Sequence, residues 1–170
     1  MTEQEKKELQ ERVKSVIERV NNAAVQAGRD PKEITLVAAT KMNDAERVQA
    51  AIEAGIRVCG ENRVQELQEK YEQNAYDGAD LQFIGTLQTN KVKYLIGKVS
   101  LIQSVGSVHL GEAIAKEAEK RGVCQDILLE VNIGREAAKS GLPPEELHDA
   151  IVKLSAKKSL HIRTSESLLL

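Results

Sequence analysis

The chain has 170 residues, a formal net charge of −2, and ordinary hydrophobic and charged fractions of 41% and 29%, which fits one domain with one sizeable core. Near-neutral charge together with one Phe, three Tyr and no Trp removes both the electrostatic and the stacking case for nucleic acid. No run is apolar for long enough to span a membrane, the charged N-terminus lacks a signal-peptide core, and Cys59 and Cys124 have no metal-ligand spacing, so a reduced, cytoplasmic, metal-free chain with two buried thiols is expected.

Thr2 and Glu5 form a capping-box pattern ahead of Leu9, Val13, Val16, Ile17, Val20, Ala24 and Ala27, which recur at helical spacing until Gly28. Asp30-Pro31 turns the chain into Ile34–Lys41, a short apolar run that reads as a buried strand. Asn43-Asp44 starts a helix carried by Val48, Ala51 and Ile52, and Ile56–Cys59 follows as a strand closed by Gly60. Glu61-Asn62-Arg63 opens a helix carried by Val64, Leu67 and Tyr71. Leu81–Ile84 is the third strand, closed by Gly85, and Thr89–Ile96 is a helix whose wet face carries Lys91, Lys93 and Lys98. Val99–Val105 is a strand, Gly106-Ser107 caps the next helix, and Asp126–Ile133 is the clearest strand of all. Pro143-Pro144 precedes a helix with Leu147, Ile151 and Leu154, and Ser159–Arg163 is a sixth strand.

Strand and helix alternate without a hairpin signal, the pattern of a parallel sheet with crossover helices. An open doubly wound sheet and a closed β/α barrel both satisfy it. The first strand leads into Thr40-Lys41-Met42-Asn43 without a glycine, against a dinucleotide-binding turn. In either architecture the strands' C-terminal ends carry function, where Thr40-Lys41, Gly60-Glu61-Asn62, Gly85-Thr86, Ser104 and Asn132 fall.

Lys41 draws attention first. Side-chain alternation puts it on the face of Val37 and Ala39, partly withdrawn from water, where desolvation lowers a lysine's pKa and frees its amine to attack a carbonyl. The alternative is a lysine that snorkels into solvent. Asn62 reads equally as a ligand group or a helix cap, Glu61 as a helix-terminal charge or a ring partner, and Gly85 as a tight turn or a close approach to a ligand. Ser104 faces a pocket mouth or satisfies backbone; His109, His148 and His161 have no ligand spacing.

Four blocks, in order, resemble the pyridoxal phosphate homeostasis protein family: Leu36–Lys41, Cys59–Glu66, Phe83–Lys91, and Val131-Asn132-Ile133 with Lys139-Ser140-Gly141. The resemblance covers roughly residues 5 to 162 and implies an α/β fold, a TIM-type barrel like that of alanine racemase, preceded by an N-terminal helix. It implies a non-catalytic protein that binds pyridoxal 5′-phosphate for cofactor homeostasis, as a Schiff base on Lys41, with Asn62 and Gly85 beside it and Lys139 as a second amine. That amine's alternative is a loop lysine in solvent. The implied partners are the cofactor and the apoenzymes that use it; full-length relatives look monomeric. A racemase or decarboxylase of the alanine racemase barrel class is the alternative, enzymatic reading, and a non-functional fragment the third.

Eight strands close such a barrel, and about six are legible here. Residues 1–170 are therefore expected to form a single, incomplete barrel domain, family-like to about 162, with 164–170 as an atypical tail. Weakened hold on the cofactor's phosphate and association through open barrel edges follow as expectations.

Overall fold

The structure, a computed structural model, describes residues 1–135 and 140–163. It is an α/β fold whose strands form a six-stranded sheet in the order β1-β2-β3-β4-β5-β6, with every recorded pairing parallel. The strands are β1 (Val37–Ala39), β2 (Val58–Glu61), β3 (Asp80–Phe83), β4 (Leu101–Val105), β5 (Gln125–Leu129) and β6 (Leu160–Ile162). The chain divides into two compact units, Met1–Glu61 with Gln65–Leu81, and Asn62–Val64 with the chain from Gln82 onward.

The first unit opens with α1 (Glu3–Gln26). Its capping box is formed: Thr2 Oγ1 accepts from the Glu5 amide at 3.2 Å and Glu5 Oε2 accepts from the Thr2 amide at 2.7 Å. Only Ala24 of α1 is fully buried; Leu9, Val13, Ile17 and Val20 are half-buried, and Val16 is exposed. α2 (Ala45–Glu53) is capped by Asp44, which accepts from the Arg47 amide at 2.8 Å, and buries Val48, Ala50 and Ile52. α3 spans Val64–Glu72.

β1 is shorter and wetter than expected. Val37 and Ala38 are half-buried and Ala39 is exposed, because β1 ends the strand order and its recorded partner is β2 alone. β2 departs from expectation in the opposite sense, by extending further at its C-terminal end. Gly60 does not close it, and Glu61 belongs to the strand rather than to the following helix.

In the second unit a 3-10 turn at Thr89–Tyr94 replaces the helix expected to reach Ile96. Arg121 ties it down by donating to the carbonyls of Ile96 and Lys93. α4 (Val108–Lys120) is capped by Ser107, as its sequence suggests, and α5 (Leu147–Ser155) packs on it, burying Ala150 and Leu154. Gly111 is where the two helices meet: a Cβ there would lie 2.6 Å from both methyls of Leu154. β5 stops at Leu129; Val131 makes only an isolated bridge to Leu142. The core of this unit is Phe83, Leu95, Ile96, Ile102, Ile114 and Ile127, all fully buried.

Among the described residues no helix is long and apolar enough to cross a membrane, and no cluster of His, Cys, Asp and Glu could hold a metal.

Candidate functional site

The end of β1 sets the geometry around Lys41. The ladder stops at Ala39 opposite Gly60, the Thr40 amide donates to the Gly60 carbonyl at 3.0 Å, and the Asn43 amide folds back to the Thr40 carbonyl at 3.2 Å. Lys41 therefore occupies a turn, where strand alternation no longer applies, and its side chain is exposed rather than withdrawn from water. Met42 follows with φ 62°, a left-handed conformation unusual for a side-chain-bearing residue.

Beneath this turn lies a buried ionic network. Lys70 of α3 is 5% exposed and Glu61 is 0% exposed. The Lys70 ammonium donates to Glu61 Oε1 at 2.6 Å, to Glu66 Oε1 at 2.8 Å and to the Thr40 carbonyl at 2.7 Å. Its three protons thus have three acceptors. Glu61 Oε1 also accepts from Thr40 Oγ1 at 2.7 Å and from the Tyr76 hydroxyl at 3.0 Å. Glu66 Oε1 accepts in addition from the Met42 amide at 2.5 Å. A helix-terminal surface role for Glu61 is excluded, because extending β2 by one residue carries it inside.

Lys70, Tyr76 and Glu66 were not among the strand-end positions expected to carry function. The signal for Lys70 was present: it lies three residues after Leu67, on the same helical face. Tyr71, expected on that face, is 41% exposed instead.

Cys59, fully buried, stands next to this network. Burial first, and the Glu61 carboxylate second, push its thiol up to about 11, and the same two causes raise the Tyr76 hydroxyl. Cys124, expected to be buried, is exposed, because it precedes β5 instead of lying in it. An unfolded thiol ionises near 9.0 and the folded one near 11. Between those values the unfolded chain binds fewer protons, so stability present below pH 9 falls as pH rises toward 11. The expected loss through Cys59 is about 2–3 kcal/mol. Urea midpoints from pH 8 to 10.5 should fall less steeply in Cys59→Ala; parallel slopes in the two proteins would refute the assignment.

In the second unit, Gly85 is buried and packs against backbone. A Cβ there would sit 2.0 Å from the Asn62 carbonyl oxygen and 2.7 Å from its carbonyl carbon and Cα. The close approach is to protein, at the point where the exits of β2 and β3 meet. Ser104 donates its hydroxyl to the Gly85 carbonyl. Asn62 is half-buried, and its side-chain Oδ1 is buried without a hydrogen-bond partner among the described residues, as is Glu61 Oε2. Of the expected site residues, the structure brings Asn62 and Gly85 together; Lys41 belongs to the other unit, and Lys139 lies outside the described residues. The stem of the Lys139 segment is described: the Leu142 amide donates to Glu130 O at 2.7 Å, the Asn132 amide to Leu142 O at 2.9 Å, and Ser140 Oγ to Glu130 Oε2 at 3.1 Å.

The family model of the alanine racemase N-terminal domain matches residues 13–166. A pyridoxal phosphate homeostasis protein of Aquifex aeolicus is 45% identical over 141 residues, 82% of this chain and 61% of that protein. One from Deinococcus radiodurans is 35% identical over 152 residues, 89% of this chain and 70% of that protein. A solved structure from Bifidobacterium adolescentis superposes with a TM-score of 0.87 at 34% identity, covering 95% of this chain and 70% of the other. PipY of Synechococcus elongatus PCC7942 with PLP bound gives 0.70 at 26% identity, covering 88% and 72%. The chain spans about three fifths of the length of the Aquifex and Pseudomonas aeruginosa relatives.

Proposed function

This chain belongs to the pyridoxal phosphate homeostasis protein family, within the alanine racemase N-terminal domain family, and from that premise we propose that it binds pyridoxal 5′-phosphate in cofactor homeostasis without catalysing a reaction of its own. The observation that carries the reading is Lys41 itself, an exposed amine on a turn whose backbone is held from below. When bound, the cofactor would supply an aldehyde, and Lys41 would be the residue whose amine holds it.

The residues present fit such a ligand. Asn62 Oδ1 is a buried acceptor with no donor among the described residues, as expected of a group that takes a donor from a ligand. Gly85 keeps the two strand exits close enough to hold Asn62 in place. Lys139 is the second amine of the reading. Residues 1–170 act in it as one partial barrel domain, and apoenzymes that need the cofactor are the natural recipients.

The experiment is to incubate the protein with pyridoxal 5′-phosphate, reduce with borohydride, and map the phosphopyridoxyl mass by peptide mass spectrometry. The label is expected on the peptide containing Lys41 and lost in Lys41→Ala. A label elsewhere with none at Lys41 would overturn the assignment. Racemase or decarboxylase turnover of amino acids by the loaded protein would overturn the non-catalytic reading.

A further inference from the structure

The contacts around Lys41 form a closed circuit. The Thr40 carbonyl accepts from Lys70 Nζ, Lys70 Nζ donates to Glu66 Oε1, and Glu66 Oε1 accepts from the Met42 amide, at 2.7, 2.8 and 2.5 Å. Asn43 Nδ2 adds a bond to the Lys41 carbonyl at 3.1 Å. The backbone is thus held before, at and after Lys41, while the Lys41 side chain is exposed. The circuit has a cost. A buried lysine and a fully buried carboxylate must both be desolvated, and Met42 is held at φ 62°. A turn needed only to connect β1 to α2 requires neither.

We infer that Lys70 and Glu66 are positioning residues for Lys41: they fix its backbone so that its amine meets an incoming carbonyl from one direction. This rests on Lys41 as the Schiff-base amine. It assigns a role to α3, which carries both Glu66 and Lys70.

Glu66 is the member to change, because its side chain is 20% exposed whereas those of Lys70 and Glu61 are 6% and 0% exposed. Glu66→Gln keeps an acceptor oxygen at the same reach; Glu66→Ala removes it; Glu66→Asp keeps the charge and shortens the reach. The rate of borohydride-trappable labelling at Lys41 by pyridoxal 5′-phosphate should fall roughly tenfold in the Ala and Asp variants, the scale of one lost hydrogen bond, and stay within about twofold of the parent in the Gln variant. Hydrogen exchange of the peptide containing the Met42 amide should quicken in Ala and Asp and not in Gln, with thermal midpoints recorded alongside. If Ala does not fold, Asp and Gln carry the comparison. Labelling at parental rate in Ala and Asp, with faster exchange, would make the circuit purely structural and overturn the inference. Absence of label at Lys41 in the parent is a different result, which overturns the Schiff-base reading and the inference together.

Discussion

Replacing Lys70 with methionine is expected to cost about 3–5 kcal/mol of folding free energy, the usual price of stranding a buried charge. The side chain keeps its length, so little volume is lost. What is lost is the one cation paired with Glu61 among the described residues, and Glu61 is fully buried. Glu61 Oε1 retains the Thr40 and Tyr76 hydroxyls, two neutral donors against a full negative charge, and Oε2 has no protein donor among the described residues. The Thr40 carbonyl also loses its ammonium donor. A paired substitution distinguishes the charge from the packing. Lys70→Met with Glu61→Met removes both ions, and at least half of the loss should return, because desolvation of the pair is relieved along with its attraction. Urea unfolding of the parent, the single and the double variant checks this. A double variant less stable than Lys70→Met would show that the hydrogen bonds, and not the uncompensated charge, carry the effect.

Gly85→Ala is expected to be as damaging, for a reason unrelated to charge. Gly85 has no need of glycine's backbone freedom, since its φ is not positive. It needs glycine's lack of a side chain: the added carbon would sit 2.0 Å from the Asn62 carbonyl oxygen, with two further Asn62 backbone atoms at 2.7 Å. No rotamer relieves a clash with backbone, so the exits of β2 and β3 must part. Overpacking of this kind costs about 3 kcal/mol or more when nothing flexible can yield. Gly111→Ala is a useful contrast, because its nearest atoms are the ends of a leucine side chain, which can turn aside. Thermal unfolding of both variants should show the larger drop at Gly85. Equal drops would mean that the strand exits separate easily. Displacing Asn62 should also lower cofactor labelling in Gly85→Ala, and leave it unchanged in Gly111→Ala.

Much of the architecture was legible because its signals are local. The caps at Thr2, Asp44 and Ser107 each rest on one side chain bonding an amide three residues on, and the alternation of strand and helix needs only apolar periodicity. Strand limits were less legible. Where a ladder stops depends on the partner strand, so Ile34–Lys41 yields only Val37–Ala39 as strand, while β2 gains Glu61 and β5 loses everything after Leu129. The position of Lys41 was read correctly as the exit of the first strand, but its burial was not, because the turn at Thr40–Asn43 breaks the alternation on which that expectation stood. Lys70 was missed for a general reason. A charged residue on an apolar helical face reads as wet unless its partners are known, and here they come from β2, from the turn after β1 and from its own helix four residues back.

The order of the strands also has a consequence in time. In the second unit β4 pairs with β3, β5 with β4 and β6 with β5, so each strand leaving the ribosome finds its partner already synthesised. Each pairing closes only the crossover between strands adjacent in sequence, which limits its loop-closure entropy. Each new strand covers the edge left by the one before it. The exposed edge therefore passes along the growing sheet one strand at a time during synthesis.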